Sequence, residues 1–175
     1  MSTMWQYPWT EAADRVVEVN DANGFDRPTM DNLPDKLMFV VTELNEAAQS
    51  VEPGPDDDPL NEELADTAIR LLHILQSMWP YEWHLRVQDN DYPPRTNPFQ
   101  QIEVLLWPIL AECCDAVEDW RKERKIDMQI NLEYALAETM KLSRRLGYNL
   151  LEEIKAKVEK NAKRGHLHGK ARSEG

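Results

Sequence analysis

The chain has no uninterrupted apolar stretch near the roughly 20 residues that a membrane-spanning helix needs. The longest, Val104–Ala111, is short and contains Pro108. Its first residues lack the basic-then-apolar order of a signal peptide, so neither a membrane anchor nor secretion is expected. Glycine is scarce, at 6 of 175 residues, and β-branched residues are few, which leaves little material for a sheet. The 2 cysteines, Cys113 and Cys114, are adjacent. Neighbours on a helix point in different directions, so a mutual disulfide is not expected; both read as small core residues in a protein of the reducing cytoplasm. Positive charge is also in deficit, with 20 Lys and Arg against 32 Asp and Glu and a net charge of −12. A general nucleic-acid binder is therefore excluded, because its affinity rests on neutralising phosphates. The few basic residues are unevenly placed: Lys155, Lys157, Lys160, Lys163, Arg164, Lys170 and Arg172 crowd the C-terminal end. Such a segment is either a solvated tail or a surface for a metal–phosphate ligand.

What remains suits one all-α domain over residues 1–175, long enough to bury a core. A first helix is expected from a Thr10 cap to about Asn23, stopped by Gly24. A second starts near Pro34, carries the stripe Leu37, Val40, Val41, Leu44, Ala48 and Val51, and ends at the run Pro53–Pro59. A third, capped by Asn61, shows Leu64, Ala68, Leu71, Leu72 and Leu75 on one side and closes at Pro80. After a linker over Tyr81–Pro94, Asn97 and Pro98 open a fourth helix to about Lys122, with a kink expected at Pro108. A fifth spans about Leu132–Leu146 before Gly147, and a sixth about Leu150–Arg164 before Gly165. Helices joined by short turns imply an antiparallel bundle.

The segments divide into a helix pair at about 34–79, a second pair at about 97–146, and a basic helix and tail at about 150–172. A faint internal repeat relates the pairs. "TELNEAAQSV" from Thr42 aligns with "AECCDAVEDW" from Ala111, and "ELADT" from Glu63 with "ALAET" from Ala135. Glu112, Asp115 and Glu138 then match Glu43, Glu46 and Asp66, while Ala135 stands opposite Glu63. The second pair is expected to keep a packing role without a metal site of its own.

Glu43 and Glu46 share one helix face at i, i+3, and so do Glu63 and Asp66. If the first pair packs antiparallel, four carboxylates converge beside the core and repel one another unless cations intervene. Hard oxygen donors without nearby His or Cys favour Mg²⁺ or Mn²⁺ over zinc. The spacing is not specific by itself, because acid-x-x-acid arises about six times by chance in a chain this acidic.

"ELNE" at Glu43–Glu46 followed by "ELAD" at Glu63–Asp66 resembles the ExxE…ExxD signature of the MazG-like all-α nucleotide pyrophosphohydrolases, which include the dimeric dUTPases. "LPDKLMFVVTELNEA", "EELADTAIRLL" and "RRLGYNLLEEIKAKVEKNAKRGHLHGK" are similar to that family's metal helices and C-terminal part. The resemblance runs from about Val16 to Lys170, and it departs from shorter relatives by the long insertion that carries the second pair. It implies Mg²⁺, or Mn²⁺, held by Glu43, Glu46, Glu63 and Asp66. The implied reaction cuts nucleoside triphosphates to monophosphate and pyrophosphate, with Glu46 or, less readily, Glu43 as the base for the attacking water. Lys157, Asn161 and Arg164 match a K-x-x-x-N-x-x-R pattern implied to bind substrate. The resemblance also implies a homodimer, and the distance along the chain leaves open whether the basic segment serves the site of its own chain, a partner's, or neither.

Other residues have plainer readings. The 6 tryptophans are expected in the core, His73 in a structural role, and Arg70 in an i,i+4 salt bridge with Asp66. A di-iron bundle needs Glu-x-x-His pairs, and the residues three before the histidines are Arg70, Tyr81, Lys163 and Gly165. The remaining alternative is a non-catalytic helical binding protein of the same fold.

Overall fold

A computed structural model describes residues 7–50, 58–85 and 102–164. The described residues contain six helices and no strand: α1 (Tyr7–Ala22), α2 (Leu33–Gln49), α3 (Leu60–Met78), α4 (Ile102–Arg121), α5 (Lys125–Arg145) and α6 (Leu150–Ala162). None is long and apolar enough to cross a membrane.

α3 is the hub and packs against α1, α2, α5 and α6. Its sequence makes this possible, because apolar residues surround it: Leu64, Ala65, Ala68, Leu71, Leu72, Ile74 and Leu75 are all buried. The small side chains of Ala65 and Ala68 leave room for neighbouring helices. α2 buries Leu33, Leu37, Val40, Leu44 and Ala47 on one side. α4 and α5 pair with each other, α4 also touching α2 and α5 touching α3, so the bundle is continuous from first pair to second.

Three described helices end in the same device, a residue in the left-handed region with hydrogen bonds running back over the last turn. After α1, Gly24 has φ 77°, with Phe25 N donating to Asn20 O at 3.0 Å. After α5, Gly147 has φ 86°, with Tyr148 N donating to Ser143 O at 2.8 Å. After α4, Glu123 has φ 57°, with Arg124 N donating to Asp119 O at 2.9 Å. The glycines announce the first two ends. Glu123 gives no such signal, and because the chain turns there at once, α5 begins at Lys125 and not near Leu132.

Other boundaries also differ from expectation. α1 is described from Tyr7, which puts Thr10 inside the helix and not at its cap. Pro59, not Asn61, precedes α3; Asn61 Nδ2 instead donates to Glu153 Oε2 at 3.0 Å and ties α3 to α6. α4 runs through Pro108 as one helix. Pro108 and Val104, whose carbonyl loses its donor, are both exposed, so water can serve that carbonyl. The expected opening at Asn97 and Pro98, the run Val51–Asp57 and the tail from Gly165 lie outside the described residues. Trp9 and Trp83 are buried as expected, but Trp107 is 65% exposed, and Cys114 is exposed while Cys113 is buried.

Candidate metal and phosphate site

The i, i+3 spacing of Glu43 with Glu46 and of Glu63 with Asp66 turns each pair toward the seam between α2 and α3. Arg70 reaches Glu43, while the charge of Glu46 falls on Glu63, which is the order of an antiparallel pair. Glu43, Glu63 and Asp66 each bring one oxygen into a group whose atoms lie within 4.8 Å of one another. Glu43 and Glu63 are buried and Asp66 is half-buried. Glu46 is exposed and stands at the rim, outside that trio. The four expected ligands are thus three converging carboxylates and one at the edge.

Two cations face the trio. Arg70 Nε donates to Glu43 Oε1 at 3.0 Å, so Arg70 bridges helices and does not make the expected i,i+4 pair with Asp66. Lys157, with only 4% of its side chain exposed, places Nζ 2.8 Å from Asp66 Oδ2, 2.7 Å from Asp58 Oδ2 and 3.0 Å from Glu62 Oε2. α6 delivers it because Ile154 and Val158 bury the adjoining face of that helix against the bundle. Lys157 thus reaches the trio of its own chain, because the helix that carries it packs on α3.

Asn161 and Arg164 are not drawn in the same way. The backbone carbonyl of Asn161 accepts from Asn23 Nδ2 at 3.2 Å, which joins the ends of α1 and α6. Arg164 is exposed, and its charge is felt at Asp58 rather than in the trio.

The electrostatics show a cluster short of positive charge. Burial pushes Glu63 up to about 7, helped by Asp66, Glu46 and Glu43 and opposed by Lys157. Burial also raises Glu43 against the pull of Arg70, and Asp66 against the pull of Lys157. Lys157 is held above its ordinary value: burial alone would lower it, but Asp66, Asp58 and Glu62 outweigh that. Glu63 Oε2 is buried and has no hydrogen-bond partner. An unmatched buried carboxylate oxygen is costly, and the carboxyl group that carries it stands among two others. The donor set therefore fits a hard divalent cation: three carboxylates, no His or Cys among them, and an oxygen that the protein itself does not satisfy.

Beside the trio lies a cavity of about 690 Å³ between the start of α2, the second half of α3 and the loop that joins α1 to α2. Arg70, Phe39, Lys36 and His73 line it. The Arg70 guanidinium carbon lies 5.5 Å from the Phe39 ring centroid, so one side chain spans from the cavity wall to Glu43. His73 is buried and neutral at ordinary pH, its pKa pushed down to about 4 first by burial and then by Lys36. The sequence does not single out this cavity, since Lys36 and Phe39 lie in the stretch "LPDKLMFVVTELNEA" but outside both its apolar stripe and its carboxylates.

The second pair brings Glu112, Asp115 and Glu138 into electrostatic range, with Glu112 raised mainly by burial. Lys141 Nζ is 2.6 Å from Glu138 Oε1, and Ala135 is fully buried at the position aligned with Glu63. Among the described residues, Glu43, Glu63 and Asp66 are the group arranged to hold a metal. Comparisons with protein-family models, with curated proteins and with solved structures give no match.

Proposed function

We propose that this protein is a Mg²⁺-dependent nucleoside triphosphate pyrophosphohydrolase that releases a nucleoside monophosphate and pyrophosphate. The observation that carries the reading is the buried Glu63 oxygen without a partner, set against Glu43 and Asp66 and flanked by Lys157 and Arg70. The resemblance of the ExxE…ExxD helices to the MazG-like family supplies the reaction class.

Glu43, Glu63 and Asp66 would hold the metal, with Glu46 at the rim. Bound there, Mg²⁺, or Mn²⁺, supplies charge neutralisation of the triphosphate and a more acidic water. In the proposed reaction a water oxygen would attack the α-phosphorus, the bond from the α-phosphorus to the bridging oxygen would break, and pyrophosphate would leave with that oxygen. Glu46 takes the water's proton. It suits this part better than Glu43, because it is solvent-exposed and no strong cation holds it, whereas Glu43 accepts from Arg70. Lys157 and Arg70 would meet the negative charge of the phosphates, and Arg164, whose charge is felt at Asp58, would add to them. Asn161 keeps its place in the K-x-x-x-N-x-x-R pattern by resemblance alone. The cavity lined by Phe39 and His73 suits the nucleoside, with an aromatic face for the base.

A cytoplasmic setting and a homodimer belong to the same proposal. Light scattering tests the dimer and should give about twice the 20.4 kDa of one chain. Because Lys157 is supplied in cis, mixing inactive Asp66→Ala chains with inactive Lys157→Ala chains should restore no activity. The reaction itself is tested by incubating purified protein with each common NTP and dNTP and Mg²⁺, measuring pyrophosphate, then repeating with EDTA. Pyrophosphate release that survives the chelator would sink the metal reading. Metal binding with no release from any nucleotide would favour a non-catalytic binding protein.

A further inference from the structure

We propose that Lys157 competes with a divalent cation for Asp66, so that cation entry hands its ammonium from that carboxylate to the substrate's phosphates. The inference rests on the metal-site reading above and concerns what regulates occupancy of that site.

Asp58, Glu62 and Asp66 succeed one another at intervals of four and form one acidic line that leads into and along the first turns of α3. Lys157 Nζ sits on this line, within 3.0 Å of an oxygen from each. Only the last of the three belongs to the trio. The ammonium is therefore at once the outer neighbour of the trio and a ligand of one member. A cation drawing on Asp66 meets a full positive charge 2.8 Å from the same carboxylate, in surroundings that water screens poorly. Glu43 is similarly engaged by Arg70, which leaves Glu63 as the member with an oxygen that no side chain has claimed.

Lys157 need not leave the site to release Asp66. Asp58 and Glu62 lie outside the trio and hold the ammonium at 2.7 and 3.0 Å, while Lys160 shares Glu62 from the solvent side at 2.9 Å. When a cation takes Asp66, the ammonium keeps these two partners and loses one, and a phosphate oxygen can fill the vacated position. Binding of the bare ion is thereby penalised, and binding of the ion together with a phosphate chain is not. By linkage each then favours the other.

The test measures Mn²⁺ affinity, by the loss of the free-ion EPR signal, for the wild type, Lys157→Gln and Lys160→Gln. Lys160 carries the same charge and also pairs with Glu62, but it does not touch Asp66. Competition predicts that Lys157→Gln binds Mn²⁺ tighter by about tenfold or more, as expected for removing one close, poorly screened charge pair. Lys160→Gln should stay within about threefold of wild type, the range of a surface charge. Equal tightening in both variants, or unchanged or weaker binding in Lys157→Gln, overturns the proposal and leaves the metal site standing. No binding by either wild type or Lys157→Gln overturns both. Should Lys157→Gln fail to fold, the wild type decides: in protein labelled with ¹⁵N-lysine, saturating Mg²⁺ should shift the ammonium resonance of Lys157. A resonance that stays in place overturns the proposal.

Discussion

The two helix pairs, α2 with α3 and α4 with α5, bury the same positions and differ in what they place at the seam. On the alignment expected from the sequence, Leu33, Leu37, Val40, Leu44 and Ala47 of α2 stand opposite Ile102, Leu106, Ile109, Cys113 and Ala116 of α4, and all ten are buried. In the partner helices, Leu60, Leu64, Ala65 and Thr67 correspond to Leu132, Leu136, Ala137 and Thr139, again all buried. Thr67 Oγ1 donates to the carbonyl of Glu63 at 3.0 Å, and Thr139 Oγ1 to that of Ala135 at 2.8 Å. The contrast sits in the carboxylates. The first pair has Glu63 where the second has Ala135, and Arg70 where the second has Leu142, which is buried. The acids of the first pair draw cations from another helix, Arg70 across to Glu43 and Lys157 from α6. In the second, Lys141 pairs with Glu138 within one helix. The two seams thus differ: one holds a charge-deficient cluster, and the other is an ordinary packed seam with acids at its edge.

The sharpest way to test that contrast is to give the first pair the residue of the second. Glu63→Ala should lower turnover by three orders of magnitude or more, about 4 kcal/mol in barrier. The seam already accommodates alanine in the second pair, so the fold should survive. Pyrophosphate release gives the rate, and circular dichroism the fold. Turnover within tenfold of wild type would mean that Glu63 is no ligand. The reverse test is milder. Glu112→Gln or Glu138→Gln should leave turnover within about tenfold, at most about 1.4 kcal/mol. If either abolished activity in a folded protein, the second pair would be supplying ligands and the functional contrast would collapse.

The same contrast has a pH signature without metal. Glu63 is shifted from 4.5 up to about 7, mainly by burial, so the folded state binds its proton more tightly than the unfolded state does. Between those values the folded state holds more protons, and stability attributable to Glu63 falls as pH rises. The melting temperature of Glu63→Gln in EDTA, measured from pH 4.5 to 7, should therefore fall less than that of wild type. His73 contributes with the opposite sign, since its pKa is lowered to about 4 and its neutral form is favoured on folding. The difference between the two proteins cancels that term. Parallel curves would show that Glu63 titrates normally and is not crowded by the trio.

The helices could be read from local periodicity, and the three acids of the trio from their shared helix faces together with the ExxE…ExxD resemblance. A carboxylate at i+3 from another must share its face, and a stripe such as Leu64, Leu71, Leu72 and Leu75 must find a core. Arg70, Lys157 and the Phe39 cavity were legible only in part. Residue order shows that Arg70 can reach Asp66 one turn back; only the crossing of α2 over α3 shows that Glu43 competes for it. Likewise, a K-x-x-x-N-x-x-R pattern does not say which chain's carboxylates its lysine meets. That depends on how α4 and α5 stack, which is a property of the whole bundle.

The smallest expected effect concerns how the members of each pair are joined. α2 and α3 are separated by the segment from Ser50 to Pro59, whereas α4 turns into α5 through Lys122, Glu123 and Arg124 alone. That turn needs a left-handed residue, and the chain uses Glu123 at φ 57° where α1 and α5 use Gly24 and Gly147. A side chain there costs roughly 1–2 kcal/mol relative to the right-handed conformation, which glycine largely avoids. Glycine also loses more freedom on folding, which offsets part of the gain. Glu123 is exposed and has no side-chain ion pair among those formed by its neighbours Glu118, Asp119 and Arg124, so little else is lost. Glu123→Gly should therefore stabilise the protein by about 0.5–1 kcal/mol in urea unfolding, with unchanged turnover. A loss of stability would mean that the Glu123 side chain holds the α4–α5 turn in a way its geometry does not suggest, and the second pair would then depend on its connection as well as on its packed seam.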